Sequence, residues 1–222
     1  MKRLVVIMLF CTGLIFAQDS RTVNLGDFHT LKTYRGLQVE MIESESPKVV
    51  IEGRKASEVT VKNNNGVLKI SLNISNTFSA DDVMVYLHYN SEVKVIDANE
   101  GSHIFSDTTI KQSKLEVNAQ EAGHIKLKVD IDDLKVTTST GGQIKLRGTA
   151  DNQRVRANTG GIYKGEGLES TTADISGGTG GIANVTVSEK ADASASTGAV
   201  ITVKGDPQEL SKSESLGGYV RD

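Results

Sequence analysis

The side chains best suited to metal or acid–base chemistry in this sequence are four histidines, His29, His88, His103 and His124, and a set of aspartates. His103 and His124 each follow a turn of small residues, in Gly101-Ser102-His103-Ile104 and Ala122-Gly123-His124-Ile125. If these segments are successive turns of a stacked repeat, the two imidazoles sit about 5 Å apart, the spacing of neighbouring strands. They could then share a metal ion. A zinc-type site needs at least a third ligand, and the equivalent place in the next segment is Gln143, a poor one. The pair reads as two surface histidines at one repeat position, and no metal or other cofactor is expected.

Asp130, Asp132, Asp133, Asp151 and Asp174 raise the question of calcium. Asp132 and Asp151 are nineteen residues apart and could line up in a repeat. Neither a Gly-Gly-x-Gly-x-Asp nonapeptide nor an Asp-x-Asp-x-Asp-Gly loop occurs, so these carboxylates read as solvated loop residues. No Gly-x-Ser-x-Gly, His-Glu-x-x-His or phosphate-loop pattern appears, and no catalytic residue is assigned. Tyr86, Tyr89, Tyr163 and Tyr219 are available as stacking platforms for sugar rings, but their clustering cannot be read from sequence. No ligand-binding residue is assigned.

The elements that must carry these residues begin after a leader. Lys2 and Arg3 precede an apolar run from Leu4 to Phe16, and Ala17 stands before Gln18, Asp19 and Ser20. This is the layout of a secretory signal peptide over residues 1–17; the run is shorter than the roughly 20 residues a spanning helix needs. Cys11, the one cysteine, lies within the leader. Phe10 and Met8 stand where a lipoprotein signal would have a small residue and Leu. The expected mature chain, 18–222, therefore has no thiol for a disulfide, a metal or a nucleophile. Removing Lys2 and Arg3 from the 25 basic residues leaves 23 against 28 acidic ones, a formal net charge of −5. With no basic run in the sequence, nucleic acid and anionic lipid are poor partner candidates.

From about 22 to 98 apolar residues alternate with polar ones, as in Leu37, Val39 and Met41 or Val83, Val85 and Leu87. A turn signal, Asn63-Asn64-Asn65-Gly66, precedes Val67 to Leu72. These are short strands, and no helical periodicity of useful length appears. Trp is absent and only three Phe, including Phe78, lie after the leader, which suits a thin core of small β-branched layers.

The second half repeats. Small-residue turns are marked by Gly101, Ala122, Gly141, Gly160, Gly180, Gly198 and Gly217, at intervals of 21, 19, 19, 20, 18 and 19 residues. A nineteen-residue unit is too short for two helices and lacks the leucine ladder of a leucine-rich repeat. It fits a coil of two or three short strands with glycine at the corner, where a positive φ is tolerated. Thr140, Thr159, Thr179 and Thr197 precede those corners and should form one ladder, their hydroxyls able to bond turn backbone in the next coil. Stacked coils about 4.8 Å apart pair their backbones and bury a continuous column. The expected fold is an all-β parallel β-helix, with irregular N-terminal coils or a cap over 18–98 and regular coils over 99–222. The segment 20–35, with Phe28, Leu31 and Tyr34, is the candidate cap.

Several stretches resemble the head GIN domains of auto-transporter adhesins, exported by Bacteroidetes-type bacteria. They are Phe28-His29-Thr30-Leu31, Gly36-Leu37-Gln38-Val39-Glu40, Gly66-Val67-Leu68-Lys69-Ile70, the Gly-rich turns and Thr202-Val203-Lys204-Gly205-Asp206-Pro207 followed by Gly217-Gly218. The resemblance covers nearly all of 18–222 and implies a right-handed parallel β-helix. The corners here read Thr-Gly-Gly or Thr-Gly-Ala where the family often has Ser-Gly-Ala-Ser. The chain ends soon after the last repeat, so a head-like module without its own translocator barrel is expected.

Coils that vary by about one residue leave little from which to build the cleft that β-helix polysaccharide enzymes use. The leading expectation is therefore an exported, non-catalytic, adhesin-like module that recognises a glycan or a protein at the cell envelope. It would reside in the periplasm, at the outer-membrane surface or outside the cell. The alternative is a periplasmic structural or signalling-associated protein, and a polysaccharide-processing enzyme is third.

Overall fold

The structure is a computed structural model that describes residues 20–73 and 83–222. The expected signal peptide, with Cys11, and Phe78 lie outside the described residues. The strands are β1 (Ser20–Asn24), β2 (Thr30–Tyr34), β3 (Gln38–Glu43), β4 (Lys48–Glu52), β5 (Val59–Asn64), β6 (Val67–Leu72), β7 (Met84–Tyr89) and β8 (Val95–Ala98). There follow β9 (His103–Ala119), β10 (His124–Thr138), β11 (Gln143–Ala157), β12 (Ile162–Gly177), β13 (Ile182–Ala195), β14 (Val200–Lys204), β15 (Glu209–Glu214) and β16 (Tyr219–Arg221). The one helical turn among the described residues is a 3-10 turn at Ala56–Glu58.

From β9 onward each coil pairs in parallel with the next, and the register confirms the repeat. Ile125 lies opposite both Ile104 and Ile144, and Val136 opposite Val117 and Val155. The long strands are bent twice. In β10 the pairing with β9 skips Leu127, and Asp132 is unpaired with either neighbour. A coil thus has three sides: in β10 the first runs over 124–127, the second over 128–131 and the third over 133–138. Strands β14 and β16 extend the first side, and β15 the third.

The corner between the third and first sides is a tight turn with two successive left-handed residues. It recurs as Glu100-Gly101, Glu121-Ala122, Thr140-Gly141, Thr159-Gly160, Thr179-Gly180, Thr197-Gly198 and Leu216-Gly217. These are the seven markers read from the sequence. An eighth turn of the same kind, Arg35-Gly36, joins β2 to β3. In every turn but the last, the second residue's N–H donates to the carbonyl of the first residue in the next coil, from Gly36 to Glu100 (2.8 Å) through to Gly198 to Leu216 (3.2 Å). The ladder expected of the threonines exists, but it runs through their carbonyls and not their hydroxyls.

The N-terminal strands continue the stack on two sides. Strand β2 pairs in parallel with β8 and β6, and β3 with β9 and β7. Beyond them the pairing turns antiparallel: β5 covers β6, β4 covers β7 and β1 covers β4. The Asn65-Gly66 hairpin turn reverses the chain between β5 and β6, with φ of 49° and 77°, as an Asn-Gly pair favours. The segment 20–35 therefore divides. Strand β1 is an outer edge, whereas β2, with Leu31 fully buried, is an inner rung. Arg21 Nη1 donates to the Val59 carbonyl at 2.8 Å, tying the β1 edge to the start of the β5 edge. The first side holds eleven strands in the order β1-β4-β7-β3-β9-β10-β11-β12-β13-β14-β16, a rod of about 48 Å at the usual strand spacing.

Inward-facing residues stack in columns. One column runs Ile51, Val85, Val39, Ile104, Ile125, Ile144, Tyr163, Ala183, Ile201 and Val220, all buried. Volume is balanced between neighbours in this thin core. The Tyr163 ring occupies the space next to Gly165, where an added Cβ would come within 2.4 Å of it. Its hydroxyl donates to Gln153 Oε1 (3.3 Å), and Gln153 Nε2 donates to Ser170 Oγ (2.6 Å). These three buried polar side chains are thereby paired, as burial requires.

Candidate functional site

Strand pleating turns alternate residues of the first side outward, and the parallel register stacks them into two columns along the rod. One reads Gln38, His103, His124, Gln143, Ile162, Ile182, Val200 and Tyr219. The other reads Glu40, Phe105, Lys126, Lys145, Lys164, Asn184, Thr202 and Arg221. His103, His124, Gln143, Phe105 and the three lysines line a shallow groove of about 390 Å³ whose floor is Ile104, Ile125 and Ile144.

The stacked imidazoles foreseen from the sequence are present: the His103 and His124 ring centroids are 4.5 Å apart at an interplanar angle of 39°. The His124 pKa is pushed below its usual value, mainly by burial and then by His103 and Lys164 nearby. Its neighbour on the other side is Gln143. Among the described residues no group of three or more His, Asp or Glu side chains gathers closely enough to hold a metal ion. Lys126, Lys145 and Lys164 stand one per coil, and among the described residues no carboxylate is within ion-pairing reach of any of them. Around the corner Lys128 and Arg147 add positive charge, the former donating to the Asp107 carbonyl at 3.2 Å.

The third side behaves differently. A second shallow groove, about 810 Å³, is lined there by alternating acids and bases. Lys114 meets Asp133 at 3.8 Å, Lys135 meets Glu116 at 3.1 Å, Arg154 meets Asp174 at 3.4 Å and Lys190 meets Glu209 at 3.5 Å. On the second side, Asp130 pairs with Lys111 (3.5 Å) and accepts from Thr149 (2.9 Å). The aspartates singled out in the sequence are thus distributed: three join ion pairs between coils, and Asp132 and Asp151 occupy the same exposed corner in successive coils. They do not converge on one point.

The tyrosines do not form a platform. Tyr163 is fully buried, its hydroxyl pKa raised by burial, and Tyr89 is 7% exposed. Tyr86 and Tyr219 both face outward on the first side, but in different columns and eight rungs apart, or about 38 Å. Arg221 lies 5.5 Å from the Tyr219 ring centroid, a cation–π contact. The residues missed by sequence reading are the three lysines. Their signal was the constant interval from 126 to 145 to 164, nineteen residues each time.

Comparison with known proteins bears on the fold and family. Solved structures with the same architecture include a "putative adhesin" from Bacteroides fragilis, with a TM-score of 0.84 and 16% identity over 92% of this chain and 96% of that one. A "putative lipid binding protein" from Parabacteroides distasonis has a TM-score of 0.71 and 18% identity over 92% and 96%. A "putative adhesin" from Parabacteroides merdae has a TM-score of 0.67 and 15% identity over 92% and 95%. At these identities the likeness is one of fold. No curated protein matches the chain. The model of the family described as "Putative auto-transporter adhesin, head GIN domain" matches residues 27–207. With its stacked glycine turns and its fold, this chain belongs to the auto-transporter adhesin head GIN domain family.

Proposed function

We propose that this protein is an exported, non-catalytic binding module that presents a flat side of its rod to a glycan or a protein of the cell envelope. The observation that carries this reading is the eightfold stack of identical turns, which spreads outward side chains into regular columns over a long, level surface. Such a surface suits an extended partner contacted at many weak points. The Lys-Arg n-region, apolar run and Ala17 support export, as does membership of a family named for adhesins. Among the described residues no helix is long and apolar enough to cross a membrane.

Binding is favoured over processing because the carboxylates of the larger groove are mostly held by basic neighbours in adjacent coils. A general acid–base pair needs carboxylates free to exchange protons on either side of a substrate bond. The second reading, a periplasmic structural or signalling-associated protein, shares the fold and differs in location. Two experiments decide. Purified protein laid on arrays of glycans, matrix proteins and envelope components should bind at least one class, and binding to none contradicts the proposal. Protease treatment of intact cells should release the protein from the surface; a fully protected protein would favour the periplasmic alternative.

A further inference from the structure

Five ion pairs, Lys111–Asp130, Lys114–Asp133, Lys135–Glu116, Arg154–Asp174 and Lys190–Glu209, join adjacent coils on the second and third sides of the rod. On the first side the column Lys126, Lys145, Lys164 has no such pair among the described residues. Three ammonium groups stand on directly paired positions, their backbones about 4.8 Å apart, and like charges placed opposite one another in a sheet are destabilising. The imidazoles of His103 and His124 and the side chains of Lys128 and Arg147 flank the column and supply no negative charge. Acids near the column are Glu40, two rungs before Lys126, Asp107, two residues after Phe105, and Glu166, two residues after Lys164. An arrangement that repels itself in the free protein is relieved by an anion lying along it.

We propose that the Lys126–Lys145–Lys164 column, with His103 and His124 beside it, binds a linear polysaccharide that carries carboxylate or sulfate groups along its length. This rests on the binding-module reading above and names its ligand class. The charges form a single file at constant intervals along the rod axis, matching a chain with recurring charge better than the two-dimensional charge array of a membrane. The same two columns offer amides and a hydroxyl, at Gln38, Gln143, Asn184 and Thr202, that can exchange hydrogen bonds with sugar hydroxyls. Half-buried Phe105 sits next to Lys126 in the column, an apolar surface for the C–H face of a sugar ring. The groove is shallow and open along the rod, which lets a polymer pass across several coils.

The test uses the purified exported chain with polygalacturonate and dextran sulfate as probes, neutral dextran as control and vesicles containing phosphatidylglycerol as the lipid arm. Binding to one or both charged polysaccharides is expected, falling as salt rises through the range in which exposed charges are screened. Each single change, Lys126→Gln, Lys145→Gln or Lys164→Gln, should weaken it about two- to fivefold, the size of an exposed ion pair. The triple change should weaken it at least about tenfold, whereas Lys94→Gln, Lys114→Gln and Lys190→Gln together, an equal loss of charge on the third side, should leave it unchanged. Wild-type affinity in the triple variant, equal loss in the control triple, equal binding of neutral dextran, or binding of vesicles without either polysaccharide would each overturn the proposal. If it fails while the protein still binds another array component, only the ligand class is wrong. If nothing binds at all, the binding-module reading falls with it.

Discussion

Ala199 packs over Gly177 in the preceding coil so closely that a Cβ built on Gly177 would lie 2.9 Å from the Cβ of Ala199. In the neighbouring coils the roles are exchanged. Gly142 sits against Ala119, Gly181 against Ala157 and Gly218 against Ala195, and there an added Cβ would meet backbone at 2.0 to 2.3 Å. Each of these four corners therefore holds one methyl group, on either the upper or the lower residue. Gly177→Ala should destabilise the fold by about 1–3 kcal/mol through overpacking. Ala199→Gly in the same chain should recover much of that, since residues in contact do not act additively. Thermal unfolding of the two single variants and the double variant measures the coupling, and additive effects would contradict this packing.

Thr140, Thr159, Thr179 and Thr197 all hold φ near 48°, a left-handed conformation that is costly for a β-branched side chain. Asparagine tolerates that region better and favours the Asn-Gly turn. Replacing any one by Asn should stabilise the protein by roughly 0.5–1 kcal/mol, read as a higher unfolding midpoint. A lower midpoint would mean that the exposed threonines do something other than complete the turn.

Acid should weaken the first side through His124. Its pKa is depressed in the folded state, so the unfolded chain binds more protons in the window just below 6.5. Stability is then complete above that value and declines as pH falls through it. The groups facing His124 are His103 on β9, Gln143 on β11, Lys164 on β12 and Lys126 on its own strand, none of which can compensate an imidazolium. The fall in unfolding midpoint between pH 7.5 and pH 5.5 should be smaller in a His124→Gln variant than in wild type. An unchanged fall would assign the acid sensitivity elsewhere.

Lys32 and Asp97 form a part-buried ion pair between β2 and β8, Nζ to Oδ2 at 2.8 Å, with the Asp97 side chain only 5% exposed. Asp97 Oδ1 has no hydrogen-bond partner among the described residues, so Lys32 is the charge that offsets the burial of this carboxylate. Lys32→Met should cost about 2–4 kcal/mol, and removing both charges in Lys32→Met/Asp97→Val should cost much less. The bond to Asp97 also raises the Lys32 pKa. The stabilisation it gives is present below 10.5 and is lost as pH rises through the folded value. Urea unfolding of the single and double variants at pH 7 tests the pairing, and equal losses in both would contradict it.

The regular coils were legible in the sequence because each turn needs small residues at fixed positions, so Gly101 to Gly217 recur at the length of one coil. The Arg35-Gly36 turn belongs to the same ladder but escaped the count. Its coil closes on residues 65 positions later, after the intervening strands β4 to β7, and no local interval records such a pairing. Tyr163, one of the candidate stacking tyrosines, belongs to the core, since alternation alone does not distinguish a buried tyrosine whose hydroxyl finds a partner in Gln153. The lysine column was hidden by the opposite problem. Net charge is negative, and residues nineteen apart form no basic run, so only the three-dimensional register turns Lys126, Lys145 and Lys164 into neighbours.

The central claim is that the first side of the rod is its binding surface, and amide NMR shifts recorded while polygalacturonate or dextran sulfate is added test it most directly. The perturbed amides should cluster at 103–105, 124–126, 143–145 and 162–164, with little change at 114–118, 133–137 and 152–156 on the third side. A footprint centred on the third side, or spread evenly over the rod, would contradict the claim.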